Sequence, residues 1–349
     1  MISTFSLKNV ISQTMNTLDI QAIQLLLSTP KKIAIIPHRG PDGDAMGSTL
    51  ALYHFLLKNN HYPTVVSPND FPDFLAWMPG SETVKIYEKD KENCTKILQE
   101  AELIFTLDFN ALHRVGEMEQ VLEKLTAPFI MIDHHQKPDD YATYTYSDVA
   151  FGSTCEMVYN FISFLDKKQD LDKTIATCIY TGILTDSGSF RFPKTTGTTH
   201  RIIAELIDLG VENTVIPTLL FDNSSYNRLQ LLGRALQNMK VMMDHKTAYT
   251  TLTQDELNSF DYIKGDTEGI VNYGLSIKGI VFAAIFIENK EEGIIKISFR
   301  SQGNFDVNQF ARDHFQGGGH SNAAGGKSEV SMEETLTKFE SLVNNLKIE

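Results

Sequence analysis

Four short stretches of this chain carry the residue types that metal-assisted chemistry would need. His38, Asp42 and Asp44 lie within HRGPDGD, and Asp108 closes ELIFTLDF. Asp133, His134 and His135 close APFIMIDHH, and Asp186 ends a stretch that runs through CIYTGIL. Carboxylates gathered in one place repel and shift one another's pKa values unless cations lie between them. Carboxylates with imidazoles and no thiolate fit Mn²⁺, and to a lesser degree Mg²⁺, Co²⁺ or Fe²⁺. Zinc fits the donor types as well, but six ligands are more than one tetrahedral site uses. Two ions would use this many carboxylates, and would clamp the attacking and leaving oxygens of an in-line displacement.

Each group also has an ordinary structural reading. Asp44 could cap the helix that follows it, Asp42 could serve the turn, and Asp108 could simply end a strand. The HH pair could be surface or satisfied core, and Asp186 could close a helix. What weighs against these readings is their conjunction.

The elements that must position these groups are legible in the hydrophobic pattern. KKIAIIP, PTVVS, ELIFTLDF and APFIMID read as strands separated by helical or loop sequence, the pattern of a mostly parallel α/β sheet. A helix is expected before Pro30 (Leu18, Ile20, Ile23, Leu27), another over 45–57, and a third over 173–186, where Ile175, Ile179 and Ile183 recur every four residues. Acids and imidazoles thus follow the carboxyl ends of several apolar elements, where open α/β sheets bind ligands. After about residue 215 the texture changes. YNRLQLLGRALQNM reads as a connecting helix, and AYTTL, GIVFAAIFIE and GIIKISFRS as strands, several of them antiparallel. Ser331 with Glu334 forms a capping box for a last helix, whose buried face is Leu336, Phe339, Val343 and Leu346.

The bulk numbers restrict the partners. With 349 residues the chain is long for one core and comfortable for two domains. Its formal net charge of −13 and lack of any Lys/Arg-rich run argue against a protein that tracks along long nucleic acid. Any nucleic-acid substrate should therefore be small. No apolar stretch is long enough to span a bilayer, so no membrane partner is expected. The segment MISTFSLKNVISQ lacks the basic-then-apolar pattern of a secretory leader. Three cysteines without a CxxC pair fit a reducing compartment, read here as the cytoplasm.

His38-x-x-x-Asp42-x-Asp44, the strand-end Asp108, Asp133-His134-His135 and Thr185-Asp186-Ser187-Gly188 resemble the four motifs of the DHH phosphoesterase superfamily. Gly317-Gly318-Gly319-His320, followed by SNAAGG, resembles the DHHA1 signature. Within the superfamily the chain is most similar to the nanoRNase type, which combines oligoribonuclease and 3′-phosphoadenosine-5′-phosphate (pAp) phosphatase activities. The resemblance implies an α/β fold of two lobes: a larger DHH lobe with a mostly parallel sheet flanked by helices, and a smaller DHHA1 lobe with a mixed sheet. The expected domains are a metal-binding catalytic domain over 1–215, a helical linker over 216–240 and a substrate-binding domain over 241–349. The active-site cleft is expected between the lobes.

Carried over by residue, the resemblance implies one metal ion on His38, Asp42, Asp108 and Asp186. It implies a second on Asp44, Asp108, His134 and Asp186, with Asp108 and Asp186 bridging. Two Mn²⁺ are expected, with Mg²⁺ or Co²⁺ as substitutes. Asp133 would orient its neighbouring histidine, and His135 would face the scissile phosphate. In Gly317, Gly318 and Gly319 the missing β-carbons would allow backbone N–H groups to approach an anion, with His320 adding a donor and Arg300 forking onto a phosphate or stacking on a base. Expected substrates are short RNA oligonucleotides, cleaved to mononucleotides, and pAp. Linear or cyclic dinucleotides (pApA, c-di-AMP) are the alternative, and a non-catalytic nucleotide sensor a further one. A homodimer is compatible with the sequence.

Overall fold

Uninterrupted apolar runs such as Ile33-Ala34-Ile35-Ile36 need cover on both sides, and the fold supplies it. The computed structural model describes residues 15, 17–222 and 224–346; the stretch read for a leader, residues 1–13, and the Leu18 side chain lie outside them. The chain divides into two units, 1–222 and 223–349.

In the first unit α1 (Thr17–Leu26) leads into β1 (Lys32–Pro37), α2 (Gly43–Lys58) and β2 (Tyr62–Ser67). β3 (Lys85–Ile86), α3 (Lys91–Glu100), β4 (Leu103–Leu107), α4 (Glu119–Leu122), β5 (Phe129–Asp133) and β6 (Tyr144–Ser147) follow. Then come α5 (Thr154–Phe164), α6 (Lys173–Asp186), α7 (Gly197–Asp208) and α8 (Val215–Phe221). The six strands are parallel in the order β3-β2-β1-β4-β5-β6. Ile33 and Ile35 of β1 join one core with Met46, Phe105, Phe161 and Ile179, whereas Ala34 and Ile36 join another with Leu98, Phe109 and Met118. Burial on both faces is why these strands are apolar throughout rather than alternating. From β1 the chain builds outward to β2 on one side and resumes with β4 on the other. The strand order therefore reverses beside β1, and a crevice opens at the carboxyl ends of β1 and β4.

The second unit contains α9 (Tyr226–Gln237), β7 (Lys240–Met242), β8 (Thr247–Leu252), α10 (Gln254–Ser259), α11 (Asn272–Leu275), β9 (Phe282–Asn289) and β10 (Ile294–Ser301). It ends with α12 (Val307–His314), β11 (Gly318–His320), β12 (Ala323–Ser328) and α13 (Met332–Asn344). Its sheet is mixed, in the order β11-β12-β10-β9-β8-β7, with only β8 and β9 parallel. A phenylalanine-rich core (Phe282, Phe286, Phe299, Phe310, Phe315, Phe339) fills one side of that sheet. Ser331 caps α13 with Glu334 in the reciprocal box. Residues 216–240, expected as a linker, do not form one element. α8 buries Ile216 and Leu220 in the first unit's core, α9 buries Leu231 and Ala235 in a cluster of the second, and β7 is already a strand of the second sheet. Among the described residues, no helix is long and apolar enough to cross a membrane.

Candidate active site

The crevice at the end of β1 and β4 collects the acids and imidazoles of the first unit. α2 starts earlier than its apolar pattern suggests: Asp42, not Asp44, is the N-cap, and its Oδ1 accepts the N–H groups of Asp44 (3.0 Å) and Ala45 (3.1 Å). Its Oδ2 remains directed at His38 Nε2, 3.9 Å away. Asp42 thus serves the helix with one oxygen and the cluster with the other. Gly40, in the left-handed region at φ +70°, turns the loop between them, and its N–H donates to Asn69 Oδ1 (2.6 Å).

Asp108 stands at the centre. Its Oδ2 lies 3.5 Å from His38 Nε2 and its Oδ1 3.4 Å from His134 Nε2. It is 2 % exposed and its backbone is left-handed at φ +65°, a strained conformation for a residue with a β-carbon. His134 Nε2 also lies 3.8 Å from Asp44 Oδ2 and 3.5 Å from Asp186 Oδ2. These separations exceed a hydrogen bond and leave room for an ion between the partners. His38, Asp42 and Asp108 each offer a ligand atom within 4.8 Å of the others, as do Asp44, Asp108 and His134.

Both imidazoles are set for such a role. The Nδ1 of His38 lies 3.1 Å from the Arg39 carbonyl and that of His134 3.3 Å from the Phe151 carbonyl. With Nδ1–H donating there, each ring turns Nε2 toward the carboxylates, where it carries a proton or, with an ion bound, would offer its lone pair to that ion. His135 is arranged differently. Buried Asp133 accepts its backbone N–H (3.1 Å) and meets its Nδ1 at 2.7 Å, so its orientation is fixed by its own neighbour.

The charge balance shows what the cluster lacks. Burial, together with the negative charges of Asp108 and Asp186, pushes the Asp44 carboxyl well above the usual range. Burial likewise raises Asp186, to about 6, with His134 opposing and Asp42 and Asp108 adding to the rise. Burial works against charge on Asp108 too, but its contacts with His134 and His38 outweigh this and hold its pKa well down. His134 in turn is held protonated up to about 10: burial opposes its charge, and Asp108, Asp186 and Asp44 overcome it. Protons here compensate carboxylates that a divalent cation would satisfy, and the donor set of oxygens and imidazoles suits such a cation. The nearby Cys155 thiol points instead at the Asp44 carbonyl (3.6 Å).

Residues not evident from the motifs complete the setting. At the start of α5 the N–H groups of Thr154 (2.6 Å) and Cys155 (2.9 Å) donate to the two oxygens of Asp44, a helix N-terminus holding a carboxylate. The Thr154 hydroxyl donates to Asp108 Oδ1 (2.9 Å). Ser153 caps this helix three residues before Glu156, a signal present in the sequence as FGSTCE. Gly182 lets α6 approach: a β-carbon there would fall 2.1 Å from Cys155 Sγ and 2.8 Å from Asp44 Oδ1. That contact brings Asp186, the last residue of α6, to the cluster.

In the second unit, Arg300, Ala323 and His320 occupy one cross-strand row of β10, β12 and β11. Arg300 Nη1 donates to the Phe299 carbonyl (2.9 Å). Two N–H groups of the glycine run already have acceptors within the unit. The Gly317 N–H donates to the Ala311 carbonyl (3.2 Å) and the Gly319 N–H to Asn308 Oδ1 (3.0 Å). Glycine is required by backbone contact: a β-carbon at Gly317 would meet the Gly325 carbonyl at 1.9 Å, and one at Gly319, φ +146°, the Ala323 carbonyl at 2.5 Å.

Residues 32–183 match the DHH family, N-terminal domain, and residues 244–346 match the DHHA1 domain. The chain is 30% identical over 307 residues to the bifunctional oligoribonuclease and PAP phosphatase NrnA of Thermus thermophilus, covering 86% of each protein. It is 28% identical over 315 residues to a probable bifunctional oligoribonuclease and PAP phosphatase NrnA of Streptococcus mutans, covering 90% of this chain and 95% of that one. A solved structure of an exopolyphosphatase-related protein from Bacteroides fragilis is 41% identical and superimposes with a TM-score of 0.91 over 95% of this chain and 97% of that one. The chain therefore belongs to the DHH/DHHA1 family of phosphoesterases, hydrolases that act on phosphate esters.

Proposed function

We propose that the protein hydrolyses short oligoribonucleotides to mononucleotides and removes a phosphate from pAp, using two divalent ions, Mn²⁺ foremost. The observation that carries this reading is the convergence of His38, Asp42, Asp44 and His134 on buried Asp108, with Asp186 reaching His134. His38, Asp42, Asp108 and Asp186 would hold one ion, and Asp44, Asp108, His134 and Asp186 the other. Ions so held would supply a nucleophilic water at neutral pH and would offset charge on the phosphoryl oxygens. Asp133 fixes the His135 ring, which would face the scissile phosphate. Thr154 and the start of α5 keep Asp44 and Asp108 in place. The second unit, residues 223–349, binds the substrate through Arg300 and His320, while residues 1–222 perform the chemistry.

The acidic balance of −13 supports substrates of few phosphates over a long strand. Three buried, unpaired thiols support a cytoplasmic setting. The test is a Mn²⁺-dependent panel of pAp, pApA, c-di-AMP, pyrophosphate and RNA from dinucleotides to about two dozen nucleotides, ranked by kcat/KM. The reading expects pAp and the shortest RNAs at the top. Pyrophosphate, c-di-AMP or the longest RNA leading that ranking would overturn it.

A further inference from the structure

α12 carries a guanidinium that the functional motifs do not use. Asn308, in its first turn, is 4 % exposed, and its Oδ1 accepts two hydrogen bonds, from the Gly319 N–H (3.0 Å) and from Arg312 Nε–H (3.0 Å). That oxygen has no third lone pair to offer, so one buried amide joins the GGGH strand to Arg312. The link fixes the stem end of the guanidinium and leaves both terminal nitrogens. One of them lies 3.5 Å from where a β-carbon on Gly318 would stand, so the fork rests against the glycine strand two residues before His320.

Arg312 is exposed and, among the described residues, forms no ion pair. The acids near it are engaged: Asp306 caps α12, and Asp313 accepts from Gln309 (2.7 Å). A cation in the last turn of α12 favours the helix dipole, but lysine would do that equally, with no buried amide to aim it. A planar fork held by its Nε matches the two oxygens of a phosphate.

We infer that Arg312 holds a phosphate monoester of the nucleotide substrate other than the phosphate being hydrolysed. This rests on the proposed role of the second unit in binding substrate. The carboxylate–imidazole cluster deals with the scissile phosphate's charge, and a second dianionic group needs its own cation in so acidic a protein. Arg312 is a positioning residue for that group.

The test compares 5′-phosphorylated pApA with unphosphorylated ApA, using the full-length Mn²⁺-loaded protein and the variants Arg312→Gln and Arg312→Lys. Wild type should favour pApA. Arg312→Gln should raise KM for pApA about 10- to 100-fold, the worth of a charge-assisted pair, while leaving ApA turnover, bound Mn²⁺ and Tm unchanged. Arg312→Lys, which keeps the charge without the fork, should recover only part of the preference. Equal losses on both dinucleotides in both variants would mark a structural role and overturn the inference, as would an unaltered preference for pApA. Failure of wild type to cleave either dinucleotide would instead bring down the functional reading, and the inference with it.

Discussion

The two candidate regions are built on opposite principles. In the first unit, groups from residue 38 to residue 186 meet in a largely buried cluster, and several are fixed by hydrogen bonds: Asp44 by the start of α5, His38 and His134 by carbonyls, Asp108 by Thr154 and His135 by Asp133. Its carboxylates are held against their own repulsion, and Asp108 against backbone strain. In the second unit, half-buried His320 and the glycine strand form the sheet edge, with half-buried Arg300 two strands inward in the same cross-strand row. The first arrangement is what charge-intensive chemistry demands, since the site must be organised before reaction. The second suits recognition, where a few side chains sort ligands at modest energetic cost.

The contrast breaks most visibly at Asp108. Asp108→Ala removes a carboxylate central to the cluster and should lower turnover about 10⁴-fold, the scale seen when a member of a catalytic unit is deleted. Near-normal turnover and Mn²⁺ content in that variant would end the claim that the first unit performs the chemistry. Thr154→Val keeps the helix N–H groups but deletes the hydroxyl on Asp108, and should weaken Mn²⁺ binding about 10- to 100-fold. Calorimetric titration with MnCl₂ reads this directly; unchanged affinity would reduce Thr154 to packing. His320→Ala probes the other region and should raise KM for dinucleotides about 10-fold with metal content intact. Loss of metal there would erase the division between the regions.

A pH effect sharpens the same contrast. Asp186, raised to about 6, makes the ion-free fold more stable when protonated, and that contribution is lost as pH rises through about 6. His134, raised from 6.5 to about 10, gives the ion-free fold a contribution that is full below about pH 6.5 and is lost as pH rises from there through about 10. A divalent ion competes with both protons. The increase in Tm on adding Mn²⁺ should therefore be several degrees at about pH 8 and shrink toward zero at about pH 5. An equal increase at both would place the bound ion away from these residues.

The parallel sheet and the acids at its strand ends were legible because continuous β-branched runs announce strands buried on both faces, and turn-rich acidic stretches follow them directly. Less visible were contributions that depend on packing. Nothing in the spacing of Gly182 says that α6 must approach Asp44 closely, and the role of Thr154 exists only because α5 points its first turn at β1 and β4. The cap of α2 fell on Asp42 instead of Asp44 because two acids two residues apart compete for one helix start, and local propensity cannot rank them. In the glycine run the sequence shows missing side chains but not the backbone that packs against Gly317 and Gly319.

The central claim is that the ends of β1, β4, β5 and α6 hold a pair of divalent ions. Anomalous diffraction from crystals grown with MnCl₂ tests it directly. Two manganese peaks should appear, one beside His38 and Asp42, the other beside Asp44 and His134, with Asp108 and Asp186 touching both. Manganese bound elsewhere, with this cluster closed on itself by hydrogen bonds, would contradict it.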